Sequence, residues 1–246
     1  MILEHLPALQ VVVPLAAAPL IVLLRRASLG WLLAFAASLF AFAASLALAA
    51  EVARAGAISY HLGSWPPPWG IEYRIDALSA FVLVLVSAIG ALVVPYAWRS
   101  IAAELPREQH YLYCAVHCLC LAGLLGMTIT GDAFNLFVFM EIASLSMYVL
   151  IALGRDRRAL LASYQYLILG TIGATFYVIG VGLLYLVTGT LNIADMAERL
   201  AQAGGTRPVL AALAFITVGM SLKLALFPLH WWLPNAYAYA PSAVTA

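Results

Sequence analysis

The chain has 246 residues and a net charge of +1, with 65% hydrophobic and only 9% charged residues. Soluble domains carry about 25% charged residues, so a soluble globular protein is excluded. The near-zero net charge leaves no electrostatic footprint for nucleic acid.

Apolar runs of about 18 or more residues recur along the chain, as in helices that cross a bilayer. The opening "MILEHLPALQ" lacks a basic n-region, so no cleaved signal peptide is expected. Seven spans are predicted. The first covers 6–24 and closes on Arg25 and Arg26; the second covers 29–50. A loop rich in proline and glycine follows, "HLGSWPPPWGIEYRID", where helix is disfavoured. Its Trp65 and Trp69 suit a membrane interface. Span three covers 77–98, with Asp76 as its cap and Ser79 three residues on. Span four covers 111–130. Span five, 133–153, follows after Gly131 and Asp132, which predicts a tight helical hairpin. Span six, 160–188, is long and holds Gly170, Gly173, Gly180 and Gly182, small residues that allow close helix packing in lipid. In "LNIADMAERLAQAGG", Leu191, Ala194, Ala197, Leu200 and Ala201 fall near one helical face, which predicts a short helix along the interface. Span seven covers 209–229.

Span four contains Cys114, His117, Cys118 and Cys120. A metal-binding membrane enzyme using Cys114, His117 and Cys118 is a remote reading. The order differs from covalent haem attachment, and tetrahedral sites rarely use such spacing within one helix. The cysteines are expected to pack as small apolar side chains. No metal or cofactor is expected.

Arginine placement sets the orientation. Arg25, Arg26, Arg99, Arg107, Arg155, Arg157 and Arg158 fall to one side; Arg54, Arg74, Arg199 and Arg207 fall to the other. The richer side belongs in the cytoplasm, which puts the N-terminus outside.

Two ionisable residues cannot be moved out of the bilayer by shifting boundaries. Glu141 lies in "AFNLFVFMEIASLSMYVLIAL", and Lys223, the one lysine of the chain, lies in "VLAALAFITVGMSLKLALFPL". A charge at a helix centre costs about 2.5–3.5 kcal/mol on insertion scales, so such residues are usually functional or paired. A buried lysine can release its proton, which arginine practically cannot. The alternative is a static Lys–Glu pair that docks two helices. Pro228 and Pro234 are predicted to break the helix after Lys223, and irregular backbone at this depth suits an ion site. His230 lies just past Pro228 and can relay protons; His117 is a weaker relay candidate without an identified partner.

The stretch "NLFVFMEIASLSMYVLIALGRDRRALLASYQYLILGTIGATFYVIGVGLLYLVTGTLNIADMA" and the later "KLALFPLHWWLPNAYAYAPSAVTA" resemble the proton-conducting membrane transporter family. This family comprises the antiporter-like subunits of respiratory complex I and of Mrp-type Na+/H+ antiporters. The ending "NAYAYAPSAVTA" is most similar to the Mrp D-type branch; the complex I branch usually has histidine where Tyr237 stands.

The resemblance implies an all-α integral membrane fold. The chain would supply seven spans and the start of a broken eighth, the first of two inverted repeats in a protein roughly twice as long. Residues 1–109 would form the N-terminal helices with a periplasmic loop at 51–76, and 110–246 the translocation core. The implied function is proton translocation within a multisubunit cation (Na+)/proton antiporter in the bacterial inner membrane. Glu141 and Lys223 would be the charged pair, with His230 beside them. Other subunits of the complex, the lipid bilayer, protons and Na+ are the implied partners. A membrane-arm subunit of NADH-quinone oxidoreductase or of a membrane-bound hydrogenase is the second reading; a non-conducting assembly subunit is the third.

Overall fold

In the computed structural model, which describes residues 3–245, helix dominates from end to end. The helices are α1 Leu6–Leu24, α2 Ala27–Ala55, α3 Ala77–Glu104, α4 His110–Ile129, α5 Ala133–Ala152, α6 Arg157–Thr188, α7 Ile193–Ala203, α8 Arg207–Lys223, α9 Leu233–Tyr239 and α10 Ser242–Thr245. Six of them, counting α4 with the 3-10 turn before it, are long and apolar enough to cross a membrane.

Helix starts follow from local chemistry. A helix leaves its first amides without backbone acceptors, and a short polar side chain supplies one. Asp76 Oδ1 accepts from Ser79 N at 2.8 Å, as the sequence predicts. Asp132 caps α5 through Asn135 N, Asp156 caps α6 through Arg158 N, and Asn192 caps α7 through Ala194 N and Asp195 N.

The loop between α2 and α3 holds one element that the sequence pattern does not announce. Strands β1 Ile58–His61 and β2 Glu72–Ile75 pair antiparallel, with Ile58 opposite Ile75 and His61 opposite Glu72. Four residues per strand, separated by a proline-rich excursion, are too short and too interrupted for alternation to show. Trp65 and Trp69 project from that excursion, both largely exposed. The hairpin is stitched to two other loops at the same end of the bundle. Gly131 N donates to Glu72 O, Ala133 N to Leu191 O and Ile193 N to Gly131 O.

The amphipathic segment 193–203 is helical as predicted, but its inward face differs. Met196 is buried and Leu191 and Leu200 pack beside it, whereas Ala194 and Ala197 are exposed. The larger side chains remove more apolar area from water and win the inward face.

The main correction concerns span seven. The predicted 209–229 helix stops at Lys223. Residues 224–232 run as irregular turns, with Ala225 left-handed at φ 52°. Pro228 offers no amide, and the residue before a proline is pushed away from helical backbone. The helix therefore ends a turn ahead of Pro228. Pro234 lies in the first turn of α9, where a missing amide costs nothing.

Helices α6 and α8 approach through glycine. A Cβ on Gly219 would meet Gly173 O at 2.6 Å and Tyr177 N at 2.8 Å. Van der Waals packing between backbones, rather than apolar burial, is what holds helices together in lipid.

Candidate functional site

Lys223 is the last residue of α8, and Glu141 lies nine residues into α5. At about 1.5 Å per residue Glu141 lies about 12 Å along α5 and Lys223 about 24 Å along α8. Their side chains meet: Lys223 Nζ donates to Glu141 Oε1 at 2.8 Å and to Ser144 Oγ at 2.8 Å. The side chains are 9% and 22% exposed, so little water could share the charge.

Each partner is held in place by its element. On α5, Glu141, Ser144 and Tyr148 stand at i, i+3 and i+7, which puts them on one helical face. On α8, the close approach at Gly173 and Gly219 brings the helix end against α6, and the break after Lys223 frees its final carbonyls. One of these is recaptured: Trp232 Nε1 donates to Leu222 O at 3.1 Å. Trp232 is buried and stacks flat on Tyr166 with centroids 3.8 Å apart, and Tyr166 meets Tyr148 edge-on at 4.6 Å. An aromatic wall thus closes the irregular segment against α5 and α6.

Ser144, Tyr148, Tyr166 and Trp232 were not singled out from the sequence. Ser144 and Tyr148 could have been, since both share the helical face of Glu141. Tyr166 and Trp232 meet only through tertiary packing.

The other candidates fall elsewhere. His230 sits on the irregular segment against Phe227, with centroids 5.5 Å apart; among the described residues its buried Nδ1 has no partner, and neither Lys223 nor Glu141 bonds to it. His117 stacks on Tyr113 and lines a cavity of about 300 Å³ with Cys120 and Tyr237. Neither member of the charged pair lines that cavity. Among the described residues the buried His117 Nε2 has no partner. Cys114, Cys118 and Cys120 are buried free thiols. Among the described residues, no three His, Cys, Asp or Glu side chains converge on a point that could hold a metal ion.

A bundle of six helices long and apolar enough to cross a membrane is the architecture of a multi-pass membrane protein. Residues 130–246 match the family described as NADH:quinone oxidoreductase/Mrp antiporter, transmembrane. The N subunit of the NADH-quinone oxidoreductase of Desulforudis audaxviator is 47% identical over 98% of this chain and 48% of its own length. The D-type polypeptide of the Na(+)/H(+) antiporter of Bacillus subtilis is 35% identical over 97% of this chain and 48% of its own. Among solved structures, an archaeal membrane-bound sulfane sulfur reductase complex holds a chain that superposes with a TM-score of 0.90. It is 33% identical, over 98% of this chain and 49% of that one. The Mrp complex of Dietzia sp. DQ12-45-1b gives 0.86 at 29% identity, over 100% and 45%. The chain thus spans about half the length of these relatives.

Proposed function

We propose that this chain moves protons as a subunit of a multisubunit cation/proton antiporter, and that Lys223 and Glu141 carry the transferable charge. The observation that supports this most is the 2.8 Å contact between them at the end of a broken helix inside an apolar bundle. Removing two charges from water is costly, and their mutual attraction offsets that only at short range. Drawing the carboxylate away by a few ångströms would leave the ammonium facing a neutral hydroxyl. The proton then becomes easier to pass on. The unwound segment 224–232 supplies backbone groups that can line a hydrated path.

Replacing Lys223 tests the proposal. Lys223→Ala is expected to abolish cation-driven proton flux in vesicles while the complex still assembles on a native gel. Normal flux would contradict the assignment; loss of assembly would indicate a static docking pair instead.

A second reading, a membrane-arm proton-pumping subunit of a redox complex, draws on the 47% identity with a protein named as the N subunit of an NADH-quinone oxidoreductase. Co-purifying subunits separate the two: small antiporter subunits support the first, NADH- or hydrogen-oxidising subunits the second. In both, the arginine-rich face is placed in the cytoplasm of a bacterial inner membrane and the N-terminus outside. A reporter fused after Arg158 should then read cytoplasmic, and an external signal would reverse the orientation.

A further inference from the structure

The turn between α1 and α2, the end of α3 and the start of α4 enclose a groove of about 440 Å³ on the arginine-rich face. Arg26, Ser28, Trp98, Arg107 and His110 line it. Neither guanidinium has a hydrogen bond or ion pair among the described residues. Among the described residues Glu104, at the same end of α3, makes no ion pair with them. Its carboxylate is taken by Ser100 Oγ at 2.8 Å and Ser242 N at 2.9 Å, and it lines the neighbouring groove. Glu108 does not line the groove either. His110 Nε2 is committed to Leu105 O at 3.1 Å, which fixes its ring at the rim.

Depth decides what such a site can hold. Arg26 joins two apolar helices, so the groove lies where chains leave the hydrocarbon and lipid headgroups begin. Its inner wall is apolar, formed by Ala27 and Ala102. Trp98 is 46% exposed beside it and packs on Trp31, whose Nε1 donates to Val94 O. An amphipathic ring at a helix end is the usual marker of headgroup level. Paired guanidinium groups match phosphate oxygens, and basic pockets between membrane helices take anionic headgroups.

We propose that this groove binds the headgroup phosphate of an anionic phospholipid. The two arginines clamp the phosphate, the Ser28 hydroxyl donates to it, and the acyl chains descend past Ala27 and Trp98 along α2 and α3. The bound lipid would tie the α1–α2 turn to the α3–α4 connection, at the face opposite the β-hairpin. This does not depend on the proton-carrying role of Lys223.

Native mass spectrometry of the full chain in detergent, titrated with phosphatidylglycerol or phosphatidylcholine, tests it. Wild type should retain phosphatidylglycerol preferentially. The double variant Arg26→Gln/Arg107→Gln should lose that retention by roughly tenfold or more. Arg157→Gln/Arg158→Gln, on the same face but outside the groove, should keep it. Equal retention in wild type and the first double variant, or equal retention of both lipids, overturns the proposal. Displacement by millimolar inorganic phosphate would reassign the site to a free anion and overturns the lipid assignment. Should the double variant fail to fold, Ser28→Cys carrying a photo-crosslinker gives an independent readout. It should form an adduct with phosphatidylglycerol, and no adduct contradicts the site.

Discussion

Glu72 shows how a single polar residue can organise one end of a membrane bundle. Its carboxylate is buried and accepts from Ser59 Oγ on β1 and from Asn192 Nδ2, at 2.9 Å, ahead of α7. Burial pushes this carboxyl up, but the hydrogen bonds from Ser59 and Asn192 and the charges of Arg74 and His61 outweigh it, so the group is held below its ordinary value. A lowered folded-state value means the ionised form stabilises the fold. That contribution is present above the unfolded value of about 4.3 and is lost as pH falls through the lower folded value. Glu72→Gln should therefore melt below wild type at neutral pH, by a difference of about 1–2 kcal/mol for a disrupted buried hydrogen bond. The difference in Tm should shrink as pH drops below about 4. A difference independent of pH would show that charge at Glu72 plays no part. Asp132, in the adjoining loop, is shifted the other way: burial raises its carboxyl, and the Asn135 and Phe134 amides only partly offset this.

Among elements, α6 and α8 decide where the lysine sits. Gly219 lies one turn before Lys223, and its place against Gly173 and Tyr177 leaves no room for a methyl group. Gly219→Ala must therefore separate the helices, at about 1–3 kcal/mol for overpacking. It should lower proton flux although both charged residues remain. Gly182→Ala is the control: nothing lies within 4 Å of its added Cβ, so stability and flux should hold. Equal behaviour of the two variants, by thermal melting and flux, would remove the packing argument.

Gly173 and Gly180 of span six were legible as small-residue packing positions, because lipid offers helices no hydrophobic drive and close approach needs small side chains; Gly182, read the same way, faces open space. Their partner on α8 was not, since pairing across helices is tertiary. The same limit explains span seven. Apolar composition runs on through "LALFPL", so a hydropathy window sees one helix where backbone chemistry ends it at Lys223.

At the scale of the molecule, hydropathy made the long helices visible, and two isolated charges marked the candidate site from sequence alone. The contact between Lys223 and Glu141 depended on the exact stagger of α5 and α8, which sequence windows leave uncertain by a few residues. The hairpin contacts escaped notice because its strands are too short to alternate visibly, and its ties to residues 131 and 193 span loops distant in sequence. The bundle has two polar ends. One is stitched by the hairpin, Asp132 and Asn192; the other carries Arg26, Arg107 and Arg155–Arg158. Between them, the Lys223–Glu141 pair is a largely buried ion bridge, and the central claim is that its amine gives up and regains a proton.

Proton flux through vesicles containing the assembled Lys223→Arg complex tests that claim most directly. Arginine preserves the positive charge and can still reach a carboxylate, but it does not release its proton at physiological pH. The expected result is an assembled complex whose flux falls to the level of Lys223→Ala. Flux at the wild-type level in Lys223→Arg would contradict the claim.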